Sequence, residues 1–180
     1  MLHRLLALRP LLFHACVPSD FESIRRDRVI RAAVASAQGA AAAPHEAVDH
    51  SPSHVRFWPG SLHGPIPGGR ERIERQRRPE GLRILRVRFR AVLQRNPARE
   101  CHVAFSGAAG SDDRVPSDVQ PGAASGLVPA VLPVGAPRLQ SIHAGRWNAA
   151  DVQEVAFAGF VDLPLDTLWA DTFEGPWQPL

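Results

Sequence analysis

The chain has 180 residues, enough for one domain with a single core, and its net charge of +3 comes from 21 cations, every one of them arginine. The two cysteines, Cys16 and Cys101, form no CxxC or other metal or redox spacing, which excludes the disulfide-scaffold class. The absence of lysine excludes Walker-type phosphate binding through lysine and Schiff-base chemistry.

Tyrosine is also absent, while glycine (14), proline (17), alanine and arginine are abundant. These are residues of GC-rich codons. Two origins fit this usage: an authentic GC-rich gene with extreme arginine use, or a frame overlapping another gene and lacking evolved biochemical activity. The seventeen prolines recur along the whole chain and limit the length of uninterrupted elements.

Residues 1–18, MLHRLLALRPLLFHACVP, form an apolar and basic segment. Arg9, Pro10 and His14 interrupt the run, so it lacks the continuous core and small-residue cleavage site of a secretory leader. The default compartment is cytoplasmic. Ser19 to Glu22 has the S-x-x-E form of a capping box, and the alanine-rich continuation predicts a helix near 20–42 that ends before Pro44.

Residues 44–69 hold closely spaced prolines and glycines with His45, His50, His54 and His63, and read as a linker. HEAVDH resembles the HExxH spacing only superficially, because Asp49 stands at the second histidine position and His50 follows one residue late. No metal site is assigned.

Residues 70–105 carry the strongest pattern. Between 70 and 99 there are eleven arginines against three glutamates, whereas 100–180 holds three arginines against ten acids. RERIERQRR favours a helical turn through Glu71–Arg75 and Glu74–Arg78 spacing, stopped by Pro79 and Gly81. In ILRVRFRAVL, Leu85, Val87, Phe89, Ala91 and Leu93 alternate with Arg86, Arg88 and Arg90. This predicts a half-buried strand near 84–93 with a cationic outer face.

Arginines can neutralise phosphates, so Arg70, Arg72, Arg75, Arg77, Arg78, Arg83, Arg86, Arg88 and Arg90 are candidate contacts for unspecific nucleic-acid binding. The competing expectation pairs them with the acidic C-terminal half.

Cys101 precedes His102, but neighbours in a strand point to opposite faces, so no nucleophile and base are paired there. Residues 106–140 form a low-complexity Pro/Gly/Ala segment, with prolines at 129, 133 and 137. Val152, Val155, Ala156 and Phe160 follow helical spacing and predict a helix near 149–160. In the acidic aromatic segment 141–180, Leu165, Leu168, Trp169 and Phe173 are candidate partner-docking residues, with packing onto the chain's own core as the alternative.

The expected fold is therefore mixed α+β with low regular content, partly disordered and with no distinct globular domain. No catalytic residue, cofactor site or metal site is expected, and the partner is unknown. No run is apolar enough over about 20 residues to span a bilayer.

Overall fold

The computed structural model describes residues 1–32, 54–75, 81–105, 139–143 and 147–180. Its helices are α1 (Leu2–Leu8), α2 (Pro18–Asp27), α3 (Pro67–Arg75) and α4 (Phe89–Arg95). Its strands are β1 (Leu11–Cys16), β2 (Val29–Arg31), β3 (His54–Ser61), β4 (Gly64–Pro65), β5 (Arg83–Arg88), β6 (Cys101–Phe105), β7 (Gln140–Ser141), β8 (Val152–Ala158), β9 (Phe160–Asp162), β10 (Leu168–Ala170) and β11 (Gln178–Pro179). The fold is mixed α+β, with its regular structure divided into short elements.

One antiparallel sheet organises the molecule in the order β11-β10-β5-β1-β3-β8-β6-β7, with β4 added to β3. A second ladder pairs β2 with β9. Within the main sheet, period-two alternation assigns side chains to two faces. One face carries Leu12 and Cys16 of β1, Val55 and Phe57 of β3, Leu85 and Val87 of β5, Val155 and Phe157 of β8, and Cys101 and Val103 of β6. These residues join Leu5, Phe21, Ile24, Phe89 and Val92 from the helices in the main core. The opposite face has a smaller cluster of Leu11, Phe13, Trp58 and Ile84, covered by Ile73 of α3.

The apolar N-terminal run is therefore built into the fold. Its second part becomes β1, between β5 and β3, and Leu5, Leu12 and Phe13 are fully buried.

Four sequence expectations require correction. Of the helix expected over 20–42, the described residues hold α2, which ends at Asp27. Arg28 turns left-handed (φ 53°), and the chain enters β2, where Ile30 lies opposite Val161. Pairing with β9 makes Val29–Arg31 a strand, and residues 33–42 lie outside the described residues. The Ser19 cap is also displaced, because α2 starts at Pro18 with Val17 before it and no side-chain cap hydrogen bond.

The strand expected over 84–93 runs from Arg83 to Arg88, after which Phe89–Arg95 is helical. Phe89 and Val92, three residues apart, bury one face of that helix. The helix expected over 149–160 is instead β8 and β9. β8 is interior to the sheet, with Val152 and Glu154–Phe157 all buried, so its apolar residues do not alternate and imitate helical spacing. Finally, the 44–69 linker contains β3, next to β1 in the sheet, whereas 44–53 lies outside the described residues, as do Pro129, Pro133 and Pro137.

Gly60 is essential to the β3–β4 corner. A Cβ at this position would stand 2.6 Å from the Pro65 Cα and closer still to the Gly64 oxygen. Backbone cannot yield as a flexible side chain can, so Gly60→Ala should lower unfolding free energy by about 3 kcal/mol, at the upper end of ordinary overpacking costs. Urea denaturation checks this, and an unchanged midpoint would show that the corner relaxes freely.

Candidate functional site

The arginines of the basic stretch are largely engaged by the C-terminal segment. Arg83 Nη1 lies 2.6 Å from Asp171 Oδ1, with its guanidinium carbon 5.7 Å from the centre of the Trp169 ring. Arg86 stacks on Trp177 at 4.2 Å. Arg70 bonds both Glu74 and Glu174, at 2.9 and 2.8 Å, and lies over Phe173. Hydrogen bonding to Arg70 holds the Glu174 carboxyl below the ordinary glutamate range. Arg88 reaches Asp166 at 3.1 Å with 75% of its side chain exposed, and Arg90 is exposed.

The side chains of Arg72 and Arg75, and all of Arg77 and Arg78, lie outside the described residues. Of the docking candidates, Trp169 packs on the main core and Phe173 on the smaller cluster. Leu168 begins β10 opposite Arg86, and Leu165 is 78% exposed. The acidic aromatic tail thus lies against the protein's own sheet.

A second group of polar side chains lies on the sheet face opposite the main core. β3 places His54, Arg56 and Trp58 on that face at successive alternate positions. Arg56 is directly opposite Ala156 of β8, and Ala156 is opposite His102 of β6. Glu154 and Ala104, also opposite one another, continue the strip. The small alanines let the long side chains from neighbouring strands converge.

Arg56 Nη1 approaches Glu154 Oε1 at 2.9 Å, and the two side chains are only 12% and 3% exposed. The guanidinium is not oriented to make a hydrogen bond of this contact, and neither Arg56 Nε nor Nη1 has an acceptor among the described residues. Trp58 Nε1 and His102 Nδ1 are likewise buried without a described partner. His54 and His102 meet edge to face, with ring centres 5.5 Å apart. Desolvation, then the proximity of His102 and Arg56, pushes the His54 pKa below 6.5 against an opposing effect of Glu100.

His14 belongs to the other face. Its Nδ1–H donates to the Arg56 carbonyl at 2.9 Å, just where the β1–β3 register ends at Phe13 and Trp58. The ring lies against Phe57. Desolvation lowers its pKa from 6.5, outweighing the backbone bond to Arg56 and the charge of Asp20.

Because folded His14 and His54 resist protonation, the unfolded chain binds more protons below pH 6.5. Stability should therefore be level above that pH and fall below it, by up to about 1.4 kcal/mol per unit for buried His14 and by less for His54, which solvent screens. Urea midpoints between pH 8 and 5 check this, and His14→Gln should flatten part of the slope.

Cys16 and Cys101 lie in the main core, where burial pushes both thiols up to about 12. Neither supplies a thiolate to the strip. Cys101 and His102 point to opposite faces, as alternation requires. His45, Glu46, Asp49 and His50 lie outside the described residues, and His63 is exposed in the β3–β4 turn. Among the described residues, no group of three or more His, Cys, Asp or Glu side chains could hold a metal, and no helix is long and apolar enough to cross a membrane.

Sequence reasoning missed Arg56, Trp58 and Glu154 as members of a site. The available signal was the alternation of His54, Arg56 and Trp58 ahead of Pro59, hidden by the surrounding turn residues. Comparisons with protein families, curated proteins and solved structures find no match.

Proposed function

We propose that the protein binds a phosphate-bearing small molecule on the sheet face formed by His54, Arg56, Trp58, His102 and Glu154. The observation that carries this reading is that buried nitrogens of Arg56, Trp58 and His102, side chains on one face of the sheet, have no hydrogen-bond partner among the described residues. Each such group costs about 1–3 kcal/mol when left unsatisfied. A phosphate group offers several oxygens to neighbouring donors, and a guanidinium is suited to it. Glu154 balances the charge of Arg56, which favours recognition of an oxygen-rich group by directed hydrogen bonds over bulk attraction of a polyanion.

Melting of the full chain with inorganic phosphate, AMP and adenosine tests the reading. Phosphate and AMP should raise the transition in a saturable way, with about 2.7 kcal/mol of stabilisation at one hundred times Kd, while adenosine should not. Trp58→Phe removes the indole N–H and His102→Ala the imidazole, and each should weaken AMP binding about 10-fold. Equal effects of AMP and adenosine, or no effect of either, would refute phosphate recognition.

A further inference from the structure

The polar strip changes character at its His54 end. His54 of β3 is opposite Ala158 of β8, and His102 of β6 is opposite Ala156 of the same strand. The two imidazoles therefore approach diagonally across β8, above alanine methyls too short to separate them. Both residues are partly exposed, and their ring centres stand 5.5 Å apart with the rings at 77°. The Ala158 amide donates to the Glu100 carbonyl at 3.0 Å, which places exposed Glu100 at this end of the strip, two residues before His102. Its charge acts on the His54 ring. The charge of Arg56 also reaches His54, but it is balanced by Glu154, so Glu100 tips this end towards cations.

From this geometry we infer that His54 and His102 form a two-imidazole site for a divalent transition metal of the nitrogen-preferring class, represented by zinc, with solvent in the remaining positions. Imidazole nitrogens bind zinc at about 2.0–2.1 Å, so two imidazoles at adjacent tetrahedral positions hold their ring centres about 5 Å apart. The observed spacing is close to this. Rotation of each ring about its own χ2 aims one nitrogen at a shared point. His102 Nδ1 is enclosed by the protein, so Nε2 is the nitrogen assigned to the metal. Magnesium and calcium prefer oxygen ligands and gain nothing from the imidazoles. The site draws on two protein ligands, with no third His, Cys, Asp or Glu among the described residues. It shares its histidines with the phosphate strip but does not rest on phosphate recognition, because Arg56, Trp58 and Glu154 hold no part of the metal.

The test is calorimetric titration of the full chain in phosphate-free buffer with zinc chloride and, separately, magnesium chloride. Zinc should bind saturably at a site that magnesium does not occupy. The outer partners of a metal ligand are worth about 10–100-fold in affinity, so losing a ligand outright should cost at least about 10-fold. His54→Gln and His102→Gln should each show this loss, whereas His63→Gln in the β3–β4 turn should bind zinc as the wild-type chain does. Glu100→Gln should weaken zinc less, by an amount that shrinks as salt rises. The double variant Arg56→Met with Glu154→Leu should keep zinc while losing AMP, which separates failure of this site from failure of phosphate recognition. Circular dichroism verifies that each variant is folded. Retained zinc affinity in folded His54→Gln or His102→Gln, equal binding of magnesium, or absence of saturable zinc binding would overturn the assignment.

Discussion

Replacing Arg28 with alanine should destabilise the fold by about 3 kcal/mol, roughly the worth of one to two hydrogen bonds from a charged donor. Arg28 Nη1 donates to the Leu180 carbonyl at 2.7 Å, and Nη2 donates to the carbonyls of Pro164 and Leu165 at 3.1 and 3.0 Å. Its backbone is equally engaged. The Arg28 amide closes α2 on the Ile24 carbonyl at 2.7 Å, and its own carbonyl accepts from the Leu163 amide at 2.8 Å. One side chain therefore ties the end of α2 to both ends of the C-terminal segment. For a domain of this size the loss corresponds to a melting point lower by about 6–12 °C.

The left-handed backbone at Arg28 gives a second comparison. Glycine loses the same side-chain bonds but relieves about 1 kcal/mol of steric cost. Arg28→Gly should therefore be less damaged than Arg28→Ala. A wild-type melting point in Arg28→Ala would show that these three bonds contribute nothing net to stability.

The second large effect is expected at Arg56 and Glu154. Removing either partner of a buried ion pair leaves an uncompensated charge and costs about 3–5 kcal/mol, so Glu154→Ala and Arg56→Ala should each fall in that range. The double variant Arg56→Met with Glu154→Leu removes both charges and keeps similar volume, and should be more stable than either single variant. Buried pairs replaced by apolar residues are often neutral or stabilising. If the pair served packing alone, the double variant would retain every property of the protein. The double variant should fold and lose phosphate binding, as determined by urea denaturation and AMP titration of the same preparation.

The sequence disclosed the fold unevenly, for identifiable physical reasons. Alternation over Arg83–Arg88 was legible because β5 has an apolar face in the main core and a mixed face that bears Arg86 and Arg88. It ceased to be informative at Phe89, where Phe89, Ala91 and Leu93 still fit a strand while Phe89 and Val92 fit a helix. β8 was misread because both its faces are buried, which erases the period that distinguishes strand from helix. A helix was expected through Val29–Arg31 because propensity is local and the β2–β9 pairing joins residues 131 positions apart, Ile30 with Val161.

The arginine-rich stretch read differently alone and in the fold. Nothing local indicates that Arg83 would meet Asp171 or that Arg86 would stack on Trp177, although the charge asymmetry between 70–99 and 100–180 pointed to such pairing. The strip could not be assembled from sequence at all, since β3, β8 and β6 are brought together by the fold. Apolar positions from six separate strands agree on one core face, with Leu12, Phe57, Leu85, Val103, Val155 and Trp169 packed together or against it.

The strip as a phosphate site is tested most directly by the histidine ring resonances of the full chain during titration with inorganic phosphate at constant pH. His54 and His102 should shift saturably, with little change at His14 on the opposite face or at exposed His63. Unmoved His102 resonances, or equal shifts at His63 and His102, would contradict it.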